Sequence, residues 1–403
     1  MKRIFCFIAL LFFVITKDTI AQHLTTDALR QDLKYYKDTL PAKHVKLYNK
    51  ITKAQFDDRI ATIAAKLDTL TEEGFMIELF RLNAAIGDEH TRIEPKFTLS
   101  LPIKFEIFKE GIFVTGILPE DSSYLSCKLV AINGWSVDAV NRKFKEVIKT
   151  DNQSYFEIYR QKFFNNPVFL KGLGILPSDQ RATFTLQNAR QETFDVTLPS
   201  APKGSTKLAT VNQYQTLLPY KKGNKKYWYD YDTATKTLYF NYATCAEDPQ
   251  EPFPDFNTGL FATINNVHPD KIIVDLRFND GGNSGVLSPF LDSIGQSYLN
   301  KKGHLFVLIG KLTFSSAVMN AVYLKRNTHA ILIGQMTSGN INCYGENRGF
   351  RLPNTQMIIG YSTRYWEVWK GKKGALQPDY PVSYSAKNFF NNRDEALEYV
   401  YEH

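Results

Sequence analysis

The spacing of apolar residues changes twice along this chain, and the first pattern is helical. Between residue 24 and about residue 93, apolar residues recur on one face, as at Phe56, Ile60 and Ile63. A further helix is predicted to begin after Thr71, a favourable N-cap residue, and to end near Gly87. We therefore expect a helical segment over residues 23–97.

Residues 98–201 show short apolar runs instead. Turn signals such as Glu110-Gly111 and Asn133-Gly134 separate these runs, which is typical of a β-rich segment. Residues 202–227 are rich in Lys, Gly, Thr and Tyr and are predicted to form a linker or flap.

From residue 228 onwards, nearly continuous apolar runs alternate with amphipathic stretches. This alternation predicts βαβ units around a buried parallel sheet, so we expect an α/β core over residues 228–403. The predicted strands are Thr237 to Tyr242, Lys271 to Leu276, His304 to Ile309 and Ala330 to Ile333, and the predicted helices are Ser288 to Tyr298 and Ser316 to Arg326.

The first 22 residues have the order of a secretory signal peptide. A basic start at Lys2 and Arg3 precedes an apolar run from Ile4 to Ile15. That run is shorter than the roughly 20 residues that span a bilayer, although a retained anchor is the alternative. We expect an exported protein, periplasmic or extracellular, with no membrane span after removal of the signal.

Charge and cysteine content narrow the function classes. The formal net charge is +8, but Lys and Arg are scattered except for a small group at residues 221–226, which does not favour nucleic-acid binding. Three cysteines follow the signal segment, Cys127, Cys245 and Cys343, and no C-x-x-C pair is present. At most one disulfide can form among them, its pairing is open, and no metal site is predicted.

Two segments of the predicted core carry candidate chemistry. The strand that ends in Asp275-Leu-Arg277 leads to Gly281 and Gly282, whose backbone N–H groups could face an anion, although a tight turn is the plain alternative. Ser315 immediately precedes a predicted helix. It could be a simple N-cap, or a nucleophile at the positive end of the helix dipole.

The order of these motifs resembles the core of the S41 (tail-specific) peptidases. The matching elements are D-L-R-x-N-x-G-G at residues 275–282, T-F-S-S-A at residues 313–317 and G-x-x-T-x-G at residues 334–339, and the resemblance covers about residues 228–385. It implies a crotonase/ClpP-like α/β core, a PDZ-like module over residues 98–201 and an N-terminal helical cap.

The resemblance also assigns residues to roles. It implies Ser315 as nucleophile, with adjacent Ser316 as the rival, and an oxyanion hole formed by Gly282 and the Ser316 amide. It implies substrate binding by Gly281, Gly339 and Asn340.

The base that a serine nucleophile needs is expected to be a histidine. The C-terminal processing branch of the family uses a lysine where this chain has Asn340, which cannot accept a proton usefully. The branch similar to the tricorn core and to retinoid-binding-protein-like repeats uses a G-D-x-H-T loop, and Gly87-Asp-Glu-His-Thr91 matches it. His90 is therefore the predicted general base, and His304 is its best rival.

The sequence leaves the third catalytic member open. Glu367 is the favoured acid by resemblance to the second branch, and Asp88, Glu89 and Glu346 are alternatives.

The chain is thus expected to be an exported serine peptidase that forms an acyl-enzyme on Ser315. It would need no metal or organic cofactor and would act on a peptide or an unfolded protein segment. The alternatives are a catalytically idle binding protein for an apolar ligand or peptide, and a secreted esterase. The sequence makes no prediction of oligomeric state.

Overall fold

The computed structural model describes residues 24–223 and 225–403. The predicted signal peptide, residues 1–22, lies outside them. In the described part of the chain, no helix has the length and apolar character that a membrane crossing requires.

Three helices make up the N-terminal segment: α1 Thr26–Lys43, α2 Lys53–Lys66 and α3 Glu72–Ile86. As predicted, α3 begins after Thr71, whose side chain accepts a hydrogen bond from Gly74 N. It ends at Gly87, which adopts φ 74°, a left-handed conformation that favours glycine. The chain then turns directly into the loop that carries His90.

The middle segment contains an antiparallel sheet and three helices. The strands are β2 Leu99–Ser100, β3 Ile103–Phe108, β4 Gly111–Ile117, β5 Lys128–Ile132, β6 Trp135–Ser136, β7 Arg181–Gln187, β8 Thr193–Pro199, β9 Ala201–Pro202 and β10 Ala209–Thr210. The sheet has the order β10-β4-β5-β7-β8, with β3 paired to β4 and β6 paired to β5, and β2 and β9 form a separate pair. The helices are α4 Val137–Lys145, α5 Gln153–Phe163 and α6 Pro167–Gly172.

The C-terminal part is built on a six-stranded sheet. Its strands, in the order in which they pair, are β11 Tyr227–Asp232, β12 Thr237–Tyr242, β13 Lys271–Asp275, β14 Leu305–Ile309, β15 Ile331–Gly334 and β18 Tyr380–Pro381. Strand β11 is antiparallel to β12, and the others run parallel. The helices of this part and of the preceding connection are α7 Gln213–Thr216, α8 Phe253–Val267, α9 Ser288–Gln296, α10 Ser316–Asn327, α11 Ala386–Phe390 and α12 Glu395–Glu402.

A long hairpin joins this part to the N-terminal helices. Strands β16 Cys343–Arg351 and β17 Ile358–Trp366 form it, and β1 Arg92–Glu94 adds an antiparallel third strand with Arg92 opposite Gly360. Its tip is held by Asp32 of α1. That buried carboxylate accepts hydrogen bonds from the backbone and side chain of both Asn354 and Thr355 at 2.6–2.9 Å.

The apolar cores follow this arrangement. One continuous cluster includes the N-terminal helices, the middle sheet and hairpin residues such as Ile359. Two further clusters cover the two faces of the six-stranded sheet. Phe314, next to the predicted nucleophile, belongs to the first cluster, so that cluster reaches the carboxyl ends of the parallel strands.

Most predicted elements of the α/β core agree with the structure to within one or two residues at each end. The sequence-based description of residues 98–201 missed helices α4, α5 and α6, because they are short and turn signals such as Asn133-Gly134 and Asn165-Asn166 separate them. The predicted linker, residues 202–227, contains short elements and is partly buried through Val211 and Leu217. Cys127, Cys245 and Cys343 are free, buried thiols, so none of them is in a disulfide.

We predict that Asp32→Ala lowers the free energy of unfolding by roughly 2–4 kcal/mol, because it leaves four partly buried donors of Asn354 and Thr355 without their acceptor. Asp38→Ala, on the same helix, removes an exposed pair with Lys34 and should cost less than about 1 kcal/mol. Urea unfolding of both variants compares these values. Equal effects would contradict the anchoring of the hairpin by Asp32.

Candidate active site

The turn before α10 places Ser315 in a strained conformation. Ser315 has φ 52° and ψ −124°, a backbone conformation that is costly for a residue with a side chain. Two glycines make room for it. A Cβ on Gly281 would lie 2.8 Å from Ser315 Cβ, and one on Gly339 would lie 3.0 Å from Ser315 N.

Hydrogen bonds from two polar side chains hold this turn. Thr313 Oγ1 donates to Leu276 O at 2.7 Å and accepts from Gly310 N at 2.9 Å. Asn279 is fully buried. Its side-chain oxygen accepts a hydrogen bond from Gly281 N at 2.9 Å, and its backbone carbonyl accepts one from Phe314 N at 3.0 Å. Neither residue was assigned a role from the sequence, although both stand in the quoted motifs.

His90 meets Ser315 across 225 positions of sequence. Its Nε2 lies 3.1 Å from Ser315 Oγ, and its ring packs on Phe314 with centroids 4.6 Å apart. The His90 side chain is buried. The distance is within the range for proton transfer between a serine hydroxyl and a general base.

A buried carboxylate shapes the loop that carries His90. Asp88 accepts from His90 N at 3.1 Å, from Thr91 Oγ1 at 2.6 Å, from Ser362 Oγ at 2.7 Å and from His44 Nε2 at 3.1 Å. Burial alone would raise the pKa of Asp88, but hydrogen bonds from His44, Thr91 and Ser362 hold it well below its usual value. Asp88 is thus ionised and holds the loop in place, and it does not contact Ser315 Oγ.

Burial sets the protonation state of His90. Burial, together with the smaller effect of the nearby Arg92 guanidinium, lowers the pKa of His90 to about 4. The imidazole is therefore neutral at pH 7, the form that can accept a proton.

The carboxylate nearest to His90 is Glu89. Its Oε1 lies 3.8 Å from His90 Nδ1, which has no hydrogen-bond partner among residues 24–223 and 225–403. Burial raises the pKa of Glu89 to about 8, although Asn340 opposes this by donating its backbone N–H at 3.1 Å and its side-chain amide at 2.7 Å.

The structure does not bring Glu367 to the imidazole. Glu367 is exposed just after β17, and no ion pair or hydrogen bond joins it to His90. Glu346, another candidate acid, pairs with Arg364 at 3.8 Å on the exposed part of the hairpin. Resemblance favoured Glu367 because it precedes the C-terminal Pro-Asp motif, but the end of β17 directs it to solvent.

The rival residues are engaged elsewhere. Ser316 Oγ donates to Gly282 O at 2.7 Å. His304 precedes β14, whereas Ser315 follows it, so a strand of five residues, or about 15 Å, separates them. His304 Nδ1 instead lies 2.7 Å from Asp270 O.

The predicted oxyanion donors lie beside Ser315. Gly282 and Ser316 line the same cleft of about 360 Å³ as His90 and Ser315. In the described chain, no acceptor is bonded to the backbone N–H of either residue. Gly281 supports the turn. Gly339 is buried behind it and Asn340 binds Glu89, so these two residues do not line the cleft.

One group of residues in the described ranges could offer three metal ligands. Glu89, His90 and Cys343 place one donor atom each within 4.8 Å of one another. Glu89 is already bonded to Asn340 and His90 contacts Ser315, so the group has other partners and we assign no metal to it.

The chain has a mixed α/β fold with several sheets, and it shares this fold with the solved structures of mature CPAF. The structure of mature CPAF matches it with a TM-score of 0.65 and 14% identity, covering 93% of this chain and 96% of that one. Mature CPAF complexed with lactacystin matches with a TM-score of 0.66, 14% identity and coverages of 94% and 97%.

The photosystem II D1 C-terminal processing protease has a lower TM-score, 0.41, with 10% identity over 94% of this chain and 97% of that one. No protein-family model matches the sequence, and no curated protein sequence is significantly similar to it.

We predict that His90 titrates near pH 4 rather than near the unperturbed value of about 6.5. Arg92→Gln should move this pKa upwards, because it removes a positive charge that disfavours the imidazolium. The signal of ¹³Cε1-labelled histidine, assigned with His90→Gln, measures both. Arg190→Gln, an exposed change in the turn between β7 and β8, is the control. A wild-type value near 6.5 would contradict the burial argument.

Proposed function

We propose that this chain is a serine-type peptidase that hydrolyses its substrate through an acyl-enzyme on Ser315. The observation that carries this proposal is the 3.1 Å contact between Nε2 of the buried His90 and Ser315 Oγ. A neutral histidine at that distance can take the Ser315 proton as the oxygen attacks a carbonyl carbon. The shared fold with S41 peptidases supports the same chemistry.

The remaining steps use groups in the same cleft. The backbone N–H groups of Gly282 and Ser316 would stabilise the negative oxygen of the tetrahedral intermediate. The imidazolium of His90 would then protonate the leaving amine, and the same residue would activate a water molecule that releases the acid and frees Ser315. In this scheme every proton is returned, and no cofactor takes part.

Glu89, in place of Glu367, is the third member of this proposal. Its carboxyl group lies 3.8 Å from His90 Nδ1, the ring nitrogen that must keep its proton while Nε2 accepts one. An imidazolium formed at that distance favours ionised Glu89, so the pair would share the charge that develops. Catalytic contacts commonly tighten when substrate binds.

The proposal also covers the branch of the S41 family and the division of the chain into modules. The histidine from an N-terminal loop favours the Ser-His branch, and Asn340, which bonds to Glu89, leaves no lysine at the dyad position. Residues 98–201 would be a PDZ-like module and the six-stranded part a crotonase/ClpP-like core. We also propose that the protein is exported and that residues 1–22 act as its signal peptide.

We expect a fluorophosphonate probe to label the wild type and to leave Ser315→Ala unlabelled, because the probe requires an activated serine. Ser316→Ala is the matched control and should keep labelling, since its hydroxyl only contacts Gly282 O. Mass spectrometry of the labelled peptide identifies the serine. An unlabelled wild type, or equal labelling of Ser315→Ala, would favour an idle binding protein.

A second assay separates a peptidase from an esterase. For each substrate, kcat/KM is divided by the rate constant of the uncatalysed hydrolysis. We expect this ratio to be higher for the peptides of a library than for a panel of p-nitrophenyl esters. Cleavage of the esters alone, abolished by Ser315→Ala, would overturn the peptidase assignment and keep the acyl-enzyme.

A further inference from the structure

Arg92 is a cation beside the proposed active site that forms no ion pair with any residue the structure describes. It follows His90 by two residues and lies on β1. Its Nε is buried and has no hydrogen-bond partner in the described ranges. Glu94 and Glu89 act on it only at longer range and form no ion pair with it. An enclosed guanidinium without an ionic partner is energetically unfavourable. The presence of Arg92 at this position is therefore explained either by a ligand that binds it or by a structural role.

Aromatic rings hold the guanidinium in place. Its Cζ lies 5.0 Å from the centroid of Phe314 and 5.8 Å from that of Tyr159. Such contacts fix the orientation of an arginine, yet they use its face and leave the in-plane N–H donors available. Those donors form the fork that binds a carboxylate in two places.

A pocket of about 190 Å³ opens beside Arg92. Two lysines line it as well: Lys149, which is buried and donates to Thr91 O at 2.8 Å, and Lys162, which lies over the Tyr159 ring at 4.8 Å. Glu94 is the one acidic residue of its lining. The pocket is therefore net positive, which favours an anion.

Arg92 also lines the cleft that contains Ser315, so it borders both spaces. The acidic residues of the cleft, Asp280 and Glu346, would repel an anion from the remaining walls. A negative group on a substrate bound at Ser315 would thus be directed towards the pocket beside Arg92.

We propose that Arg92, assisted by Lys162, forms an anion subsite that binds a carboxylate of the substrate close to the scissile bond. This inference rests on the proposed function and narrows its substrate class. The preferred substrates are peptides that carry either an acidic side chain or the free C-terminal carboxylate within a few residues of the cleaved bond. Both sources present the same carboxylate chemistry to the guanidinium.

The test uses three matched peptides at pH 7.5, where His90 is neutral. A reference peptide contains Glu near the cleaved bond and a free C-terminus; one analogue has Gln in place of Glu, and the other ends in a carboxamide. We expect the wild type to prefer the reference over one analogue by about 10- to 100-fold in kcat/KM. The analogue that is disfavoured identifies the source of the carboxylate.

Arg92→Gln should reduce this preference to near unity, and should slow the neutral analogue far less than the reference peptide. Lys162→Gln, an exposed substitution, should reduce the preference several-fold and covers the case in which Arg92→Gln does not fold. Arg190→Gln, distant and exposed, should leave the preference unchanged.

Two results would overturn the inference: equal rates for all three peptides with the wild type, or an unchanged preference in both Arg92→Gln and Lys162→Gln. Fluorophosphonate labelling of Ser315 separates these failures from failure of the proposed function. A labelled wild type without preference rejects the anion subsite alone, whereas an unlabelled wild type rejects the acyl-enzyme.

Discussion

The pairing of β1 with β17 is the constraint on which the site depends. The three residues of β1 pair with β17 near the tip of the hairpin, which extends from the α/β part. His90 lies two residues before the first residue of β1. Backbone hydrogen bonds fix position along a strand to within one residue, because a slip would turn every side chain to the opposite face. Asp88 then fixes the loop itself by joining His90 N to Ser362 of the hairpin. A histidine from the N-terminal helical segment thereby reaches a serine of the α/β part.

Strain at Ser315 is the second requirement. The left-handed φ of 52° is costly for serine. Hydrogen bonds of Thr313 and Asn279 hold the turn in this conformation, and Gly281 and Gly339 leave space for it. The same turn leaves the amide of Ser316 free at the start of α10, next to that of Gly282. Strain and electrostatic stabilisation thus come from one local structure, and burial keeps His90 neutral beside it.

The fold of the α/β part was largely predictable because its strands are buried on both faces and form continuous apolar runs. The ordered glycine and serine motifs likewise placed Ser315, His90, Gly282 and Ser316 in one expected site, and the structure brings these four together. The acid was less predictable. Glu89 and Glu367 are both carboxylates near motif residues, and only the turn of the His90 loop and the end of β17 decide which of them faces inward. The roles of Gly339 and Asn340 also depend on packing between distant segments, which local spacing does not encode.

The central claim is that His90 and Ser315 act as one catalytic unit. Peptide hydrolysis by the wild type, His90→Gln, Ser315→Ala and the double variant measures the coupling between them. If the two residues act together, each single change removes nearly all acceleration, and the double variant is no slower than the slower single variant. Losses that multiply in the double variant would contradict the account, because they would show that His90 and Ser315 contribute independently.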